Sequence, residues 1–282
     1  MNSGIELKDV TMRFEETTAL DNISLRLGDE RIYGLLGRNG AGKTTLLGCV
    51  TNRLFPQQGS VTIDGEAVRE NDRVLSRVYS MGEKNYCPEG TSVRQLLNWT
   101  RDFYPGFDME YAHTLARDFG LDTKKKLKEL STGYLTIIKL ICALANRAPY
   151  LLLDEPVLGL DANHRELFYK KLLENYAEYP RTIVISTHLI EEVADIVEQV
   201  VIIKEGRLLL DKPTEEVKRM GVQVSGRAAD VEAWCRGRDV LSEETLGGLK
   251  TACVLGEVGE LPDGLEVQPL DLQKLFVRLT NA

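Results

Sequence analysis

A glycine-rich loop limits what this chain can fold into more than any other feature. The stretch GRNGAGKTT, Gly37–Thr45, contains the pattern GxxxxGK followed by Thr44. Glycines let the backbone pass close to a phosphate, so that its N–H groups point at the oxygens, and the start of the next helix favours the negative charge. The apolar segment YGLL precedes the loop and a helical pattern follows it. This strand–loop–helix order favours a phosphate-binding loop over a simple glycine-rich turn.

The loop also predicts which atoms meet the phosphates of a nucleotide. We expect the Lys43 ammonium to reach the β- and γ-phosphates and the Thr44 hydroxyl to bind Mg²⁺. The predicted nucleotide-binding residues of the loop are Gly37, Arg38, Asn39, Gly40, Ala41, Gly42, Lys43, Thr44 and Thr45. Many unrelated protein classes use such a loop, so it leaves the function open.

An acidic pair ends a short apolar run further along the chain, in the segment YLLLDEP. A continuous apolar run is typical of a buried parallel strand. We expect Asp154 to bind Mg²⁺ and Glu155 to polarise the attacking water as general base. A solvated acidic pair at a strand end is the alternative, and the phosphate loop upstream disfavours it.

Length and composition are consistent with one large domain, or one domain with a small appendage. The chain has 282 residues and a formal net charge of -8, which argues against a nucleic-acid surface. The five cysteines are scattered without a CxxC pair, which predicts reduced, packed thiols. No signal peptide is expected at the N-terminus. The longest mainly apolar stretches, such as Ile137–Ala145, are shorter than the about 20 residues that a bilayer requires.

The order of the patterns predicts an α/β fold. Antiparallel strands come first, with a hairpin turning at Asp64-Gly65. Helical patterns fill Ser92–Asn146, and the buried strands YLLLDEP and RTIVIST follow, with a further helix over LIEEVADIVE. Alternating strands and helices predict a parallel sheet with covering helices. The segment Gly221–Ala282 predicts a small α/β appendage, either a cap or dimer-stabilising module or a ligand sensor.

The pentapeptide LSTGY lies ahead of a helical pattern and shortly before the acidic strand. It resembles the LSGGQ signature of ATP-binding-cassette (ABC) ATPases. The matching residues are Leu130, Ser131, Thr132, Gly133 and Tyr134. At a helix start, Ser131 and the Gly133 N–H can grip a γ-phosphate presented by a second subunit.

Other residues match landmarks of the same family. Phe14 stands where the family has an aromatic that stacks on adenine, although a strand core residue is the alternative. The D-loop is matched by LGLD, which ends at Asp161, and the switch histidine by His188. VYSMGEKN resembles the Q-loop, with Glu83 as a further Mg²⁺ ligand. His113 and His164 receive no role.

The resemblance spans residues 4 to 215 and implies the domain organisation. It implies an ABC nucleotide-binding domain over residues 1–220, with a mixed sheet, an antiparallel β subdomain and a helical subdomain at about 84–146. Residues 221–282 would form the accessory α/β domain. The closing stretch PLDLQKLFVRLT resembles the tail of ATPase subunits from bacterial ABC-2 exporters of the peptide- and drug-efflux or antibiotic-response type.

Three residues depart from the family pattern. Thr132 replaces the first signature glycine, and Tyr134 replaces the signature glutamine. Glu83 stands in place of the Q-loop glutamine and adds negative charge near Asp154, Glu155 and the triphosphate. We expect a tighter Mg²⁺ requirement and slower turnover than is usual in the family.

The resemblance implies an ATP- and Mg²⁺-dependent ATPase that works as a head-to-tail dimer with a second ABC ATPase subunit, identical or different. A separate transmembrane permease subunit would hold it on the cytoplasmic face of the cell membrane, and no nucleic acid is expected. Export is the expected direction of transport. The alternatives are a soluble ABC ATPase acting on ribosomes or DNA, and a weakly hydrolysing regulatory cassette.

Overall fold

The computed structural model describes residues 3–28, 30–82, 84, 87–88, 90–256, 259 and 261–281. The strands are β1 Ile5–Phe14, β2 Thr17–Leu27, β3 Ile32–Leu36, β4 Gln58–Ile63, β5 Glu66–Ala67, β6 Val78–Met81, β7 Tyr150–Asp154, β8 Thr182–Thr187, β9 Gln199–Lys204, β10 Arg207–Pro213, β11 Gly221–Arg227, β12 Asp239–Leu246, β13 Leu249–Leu255 and β14 Glu266–Pro269. The helices are α1 Lys43–Val50, α2 Asp72–Leu75, α3 Val93–Phe103, α4 Met109–Asp118, α5 Thr132–Ala145, α6 Ala162–Glu178, α7 Thr214–Lys218, α8 Ala228–Cys235 and α9 Leu272–Asn281.

The N-terminal strands form an antiparallel sheet in the order β2-β1-β4-β5. The predicted hairpin is confirmed, since β4 pairs antiparallel with β5. Its turn residues, Asp64 and Gly65, both have positive φ, at 53° and 80°. An Asp-Gly pair suits such a turn because both residue types adopt the left-handed region at low cost.

The central sheet has the order β10-β9-β3-β8-β7-β6. The strands from β9 to β6 are parallel, and β10 pairs antiparallel with β9 at one edge. Every residue of β3, β7 and β8 is buried, as expected of strands covered on both faces. The predicted α/β fold with a mixed sheet is therefore confirmed.

Helices α3, α4 and α5 occupy the predicted helical section, and polar N-caps set where they begin. The Ser92 hydroxyl accepts the Gln95 N–H at 3.2 Å, and the Gln95 side chain accepts the Ser92 N–H in return. An Asp108 carboxylate oxygen accepts the Tyr111 N–H at the start of α4. Such caps satisfy N–H groups that have no partner within the helix.

The predicted helix over LIEEVADIVE is wrong. The structure has a single 3-10 turn, Ile190–Glu192, without a side-chain cap at its start. Ile190, Val193 and Val197 are buried, and their helical spacing explains the prediction. Local turn bonds such as that from the Ala194 N–H to the Ile190 carbonyl hold the segment. Long-range bonds fix its end: the Glu198 N–H donates to the Ile32 carbonyl and the Glu198 carboxylate accepts the Ile32 N–H. Tertiary bonding overrides the local period here.

The C-terminal strands form an antiparallel sheet in the order β12-β13-β11-β14. Helix α8 packs Val231 and Trp234 into a small core of this region. Helix α9 instead places Leu275 and Phe276 in the large core under the central sheet. The predicted α/β character of this segment is confirmed, while the domain division at residue 220 stays a prediction.

Candidate nucleotide site

The carboxyl ends of three neighbouring strands bring the predicted catalytic residues together. Strand β8 lies between β3 and β7, with Leu36 opposite Thr187 and Asp154 opposite Ser186. The glycine-rich loop, the acidic pair and the segment that begins at His188 therefore leave the sheet side by side. This edge is where ligands bind in open α/β sheets.

The conformation of the loop requires its glycines. Gly40 and Gly42 have φ of 81° and 107°. A Cβ on Gly37 would lie 2.7 Å from the Ile203 carbonyl oxygen, and one on Gly42 would lie 2.5 Å from that of Ala19. Side chains at these positions would clash with backbone. Helix α1 begins directly after the loop, so its free N–H groups face the site.

Lys43 is the buried cation of the site, with a residue exposure of 6%. Its ammonium donates to the Gly37 carbonyl at 2.7 Å and to the Arg38 carbonyl at 3.3 Å, and its nitrogen lies 3.6 Å from Glu155 Oε1. Burial lowers the pKa of Lys43, and the neighbouring Glu155 and Asp154 carboxylates oppose that shift. The ammonium thus lies between the loop carbonyls and the Glu155 carboxylate. Its positive charge lets the site accommodate a negatively charged phosphate beside it.

Thr44 and Asp154 present oxygen atoms to one point. The Thr44 hydroxyl donates to Asp154 Oδ2 at 2.7 Å, and the Ser186 hydroxyl donates to Asp154 Oδ1 at 2.7 Å. Hydroxyl and carboxylate oxygens are the ligands that Mg²⁺ prefers. The donor set at this point therefore fits Mg²⁺, with Ser186 orienting the carboxylate.

Glu155 is held in an unusual backbone conformation. Its φ is +47°, a region that costs a residue other than glycine on the order of 1–3 kcal/mol and that occurs often at active sites. Its N–H donates to the Ser186 carbonyl at 2.8 Å. The Thr187 hydroxyl donates to Glu155 Oε2 at 3.2 Å, and His188 Nδ1 lies 2.9 Å from Glu155 Oε1. Three side chains thus orient one carboxylate: Lys43, Thr187 and His188.

The signature pentapeptide forms the start of α5. The Ser131 hydroxyl caps the helix and accepts the Tyr134 N–H at 3.3 Å. A Cβ on Gly133 would lie 3.0 Å from the Gly159 carbonyl oxygen, so this position favours glycine. Ser131 and Thr132 are exposed. The helix start therefore faces outward, where another molecule can reach it.

Asp161 begins α6 next to this segment. Its carboxylate accepts the His164 N–H at 2.9 Å and lies 2.8 Å from His164 Nδ1. The His164 ring also meets the Tyr134 ring edge-on, with centroids 5.9 Å apart. Sequence reasoning gave His164 no role, although the Asp-x-x-His spacing of an N-cap was the available signal.

The remaining predicted residues are only partly accounted for. Phe14 is 43% exposed at the end of β1, so it is not a core residue, and its contact with adenine stays a prediction. Arg38, Asn39 and Gly40 are exposed at the top of the loop, and Thr45 is half-buried. Glu83 lies outside the described residues.

Two contributions to the site had no signal in the sequence. Ser186 appeared only as part of an apolar strand, yet it bonds Asp154. The buried Thr280 of α9 lines a cavity of about 290 Å³ together with loop residues Arg38–Ala41. The C-terminal helix therefore ends beside the phosphate loop.

Comparisons with known proteins agree with this fold. The family model described as ABC transporter matches residues 20–158. The chain is 29% identical over 220 residues to the ABC transporter ATP-binding protein YtrB of Bacillus subtilis (strain 168), covering 78% of this chain and 75% of that protein. It is 34% identical over 215 residues to the Nod factor export ATP-binding protein I of Burkholderia lata, covering 73% of this chain and 70% of that protein. A solved ATP-binding subunit of an ABC transporter superposes with a TM-score of 0.70 at 22% identity, covering 77% of this chain and 92% of that one.

Proposed function

This chain belongs to the ATP-binding proteins of ABC transporters, and we propose that it binds ATP on the loop Gly37–Thr45 and hydrolyses it to drive transport through a separate membrane subunit. The observation that carries the proposal is the meeting of Lys43, Glu155 and His188. One carboxylate oxygen of Glu155 lies 3.6 Å from the lysine nitrogen and 2.9 Å from the histidine ring.

This arrangement supports hydrolysis by general-base catalysis. The loop N–H groups and Lys43 hold the β- and γ-phosphates, and His188 contacts the γ-phosphate. A water oxygen attacks the γ-phosphorus while the bond to the ADP oxygen breaks, and the Glu155 carboxylate accepts the proton of that water. The products are ADP and phosphate. Thr44 and Asp154 would hold Mg²⁺, which supplies positive charge beside the phosphate oxygens.

A dimer completes each site in this proposal. The exposed Ser131 and the Gly133 N–H at the start of α5 bind the γ-phosphate of the ATP on a second ABC ATPase subunit. Asp161 of the D-loop extends to the same second subunit. Two ATP molecules are then buried between head-to-tail subunits. Hydrolysis removes the shared γ-phosphate contact and opens the dimer, so the nucleotide cycle moves the subunits.

The membrane-spanning part is assigned to a separate permease. None of the helices among the described residues combines the length and apolar character that crossing a bilayer demands. The permease would hold the ATPase on the cytoplasmic face of the membrane. Export as the direction of transport draws support from the Nod factor export ATP-binding protein I, at 34% identity.

Glu155→Gln tests the catalytic assignment. The amide cannot accept the water's proton, so hydrolysis should fall by about 100-fold or more, measured as phosphate release. ATP affinity, measured by calorimetry, should stay within about threefold because Lys43 and the loop are intact. With ATP and Mg²⁺ the variant should accumulate as a closed dimer in size-exclusion chromatography.

The matched control is Glu178→Gln at the exposed end of α6, which should hydrolyse ATP at the wild-type rate. A Glu155→Gln protein that stays monomeric at saturating ATP and Mg²⁺ would contradict the dimer proposal. Wild-type turnover by the same variant would contradict the role of Glu155.

A further inference from the structure

One face of α5 turns toward the catalytic carboxylates of the same chain. Thr132, Thr136 and Lys139 follow one another at helical spacing, and all three line a cavity of about 150 Å³ that Asp154 and Glu155 also line. The helix that begins with the signature pentapeptide therefore also forms a wall of its own subunit's hydrolytic site.

The same face bonds to both loops next to the carboxylates. The Thr136 hydroxyl donates to the Leu158 carbonyl at 3.1 Å, just after Glu155 in the chain. The Lys139 ammonium donates to the Gly82 carbonyl at 3.2 Å, directly after strand β6. Lys139 thus lies where the chain leaves the edge strand of the parallel sheet.

The charges around this cavity are unequal. Among the described residues that line it, Asp154 and Glu155 carry negative charge and Lys139 carries the one positive charge. Lys43 balances Glu155 from the side of the phosphate loop. On the side of α5, Lys139 supplies the positive charge that faces the two carboxylates. A triphosphate adds further negative charge, which makes a cation at this wall more valuable.

We propose that Lys139 is a positioning residue of the hydrolytic site, whose positive charge offsets the carboxylates across the cavity and ties α5 to the chain at Gly82. This inference rests on the proposed ATPase function and adds a residue to it. The ammonium lowers the repulsion between Asp154, Glu155 and the γ-phosphate, so that the carboxylates and the attacking water keep their positions during turnover.

Loss of the Lys139 charge predicts opposite changes in cation affinity and in turnover. Without Lys139 the cavity is more negative, so a divalent cation binds more tightly while turnover falls. A purely structural role would weaken both together. Three variants separate these cases: Lys139→Met removes charge and donor, Lys139→Gln keeps an N–H donor without the charge, and Lys139→Arg keeps the charge.

The experiment compares the three variants with the wild type and with Lys128→Met, an exposed lysine of the same region. It measures kcat and KM for ATP, the affinity for ATP by calorimetry, and Mn²⁺ binding by electron paramagnetic resonance with a non-hydrolysable ATP analogue. Thermal unfolding verifies that each variant is folded.

We expect kcat to fall by about tenfold in Lys139→Met and Lys139→Gln, with ATP affinity within about threefold and tighter Mn²⁺ binding. Lys139→Arg and Lys128→Met should resemble the wild type. Wild-type kcat and Mn²⁺ affinity in Lys139→Gln would overturn the inference. If the wild-type protein itself binds ATP without releasing phosphate, the proposed function fails instead.

Discussion

Glu155 illustrates how much a single residue in this site depends on its neighbours. Its backbone lies in a region disfavoured for side-chain-bearing residues, at φ +47°. The Ser186 carbonyl accepts its N–H, and Thr187, His188 and Lys43 contact its carboxylate. Such a conformation persists because the surrounding contacts over-determine it. The carboxylate is therefore already oriented by the protein, which would reduce the cost of reorganisation in the proposed reaction.

Replacing Glu83 tests the charge of the site from another direction. Glu83→Gln removes a negative charge that follows Gly82 in the chain. We expect ATP hydrolysis to be faster, and its rate to vary less with Mg²⁺ concentration, than in the wild type. The reason is that the repulsion near Asp154 and the triphosphate decreases. The measurement is phosphate release across a Mg²⁺ titration.

The double variant Glu83→Gln with Lys139→Met serves as the control, since it removes one charge of each sign. Its rate of ATP hydrolysis should lie closer to the wild-type rate than that of either single variant. Unchanged hydrolysis and unchanged Mg²⁺ dependence in Glu83→Gln would show that the charge argument is wrong.

At the scale of the element, α4 depends on a cap that also holds a distant arginine. Asp108 accepts the Tyr111 N–H at 2.8 Å through Oδ1, and its Oδ2 lies 2.9 Å from Arg147 Nη2. The Arg147 guanidinium also stacks over the Tyr179 ring, 3.5 Å from its centroid. The start of α4 is thus fastened to the segment after α5, which keeps the helical section on the central sheet.

Asp108→Ala should lower the free energy of unfolding by about 1 kcal/mol at pH 7 because the helix loses its cap. The Tyr111 N–H bond, helped by Arg147, lowers the pKa of Asp108. Its stabilisation is therefore present above the unfolded-state pKa of about 3.9 and is lost as the pH falls through the lower folded-state pKa.

Urea unfolding at several pH values measures this difference. The matched control is Asp102→Ala, an exposed aspartate at the end of α3, which should change the free energy of unfolding by less than about 0.5 kcal/mol. A loss in Asp108→Ala that is equal at pH 7 and well below pH 3.9 would contradict the role of the carboxylate.

At the scale of the whole molecule, the two halves of the proposed ATP site lie on different parts of one chain. The phosphate loop follows β3 in the central sheet, while the signature pentapeptide begins α5 with Ser131 exposed. The C-terminal helix α9 adds a third part, since Phe276 packs in the large core and Thr280 lines a cavity beside the loop. One helix therefore extends from the large core to the cavity beside the loop.

Mixing two inactive variants tests whether the site is shared between subunits. Lys43→Ala should lose nucleotide affinity, and Ser131→Arg should block the signature, so each alone should release little phosphate. If identical subunits pair at random, half of the dimers are mixed and each has one intact site, so activity should recover to at most roughly a quarter of the wild type. Phosphate release of the equimolar mixture measures this recovery.

A mixture of Lys43→Ala with the double variant carrying both changes is the control and should stay inactive. Full activity of Ser131→Arg alone would contradict the composite site. It would mean that one chain hydrolyses ATP without a partner's signature.

The sequence alone determined the parts whose chemistry is local. The loop Gly37–Thr45 could be predicted because a loop that wraps phosphate needs glycines and a lysine at fixed spacing. The buried strand before Asp154 could be predicted because it is apolar throughout. From these and LSTGY came the fold class and the transporter ATPase family, which the structure and the relatives confirm. The roles of the site residues and the domain boundaries stay predictions.

Only the tertiary structure decided which distant groups meet. The segment 189–198 has a helical period, yet it forms a 3-10 turn followed by hydrogen-bonded turns, and its last residue, Glu198, bonds to Ile32 at the start of β3. Ser186 reaches Asp154 from 32 residues away, and Lys139 reaches the Gly82 carbonyl from 57 residues away. Sequence patterns report which face of a segment is apolar. They do not report which strand lies beside which, and that arrangement sets the hydrogen bonds and neighbouring charges of Asp154 and Glu155.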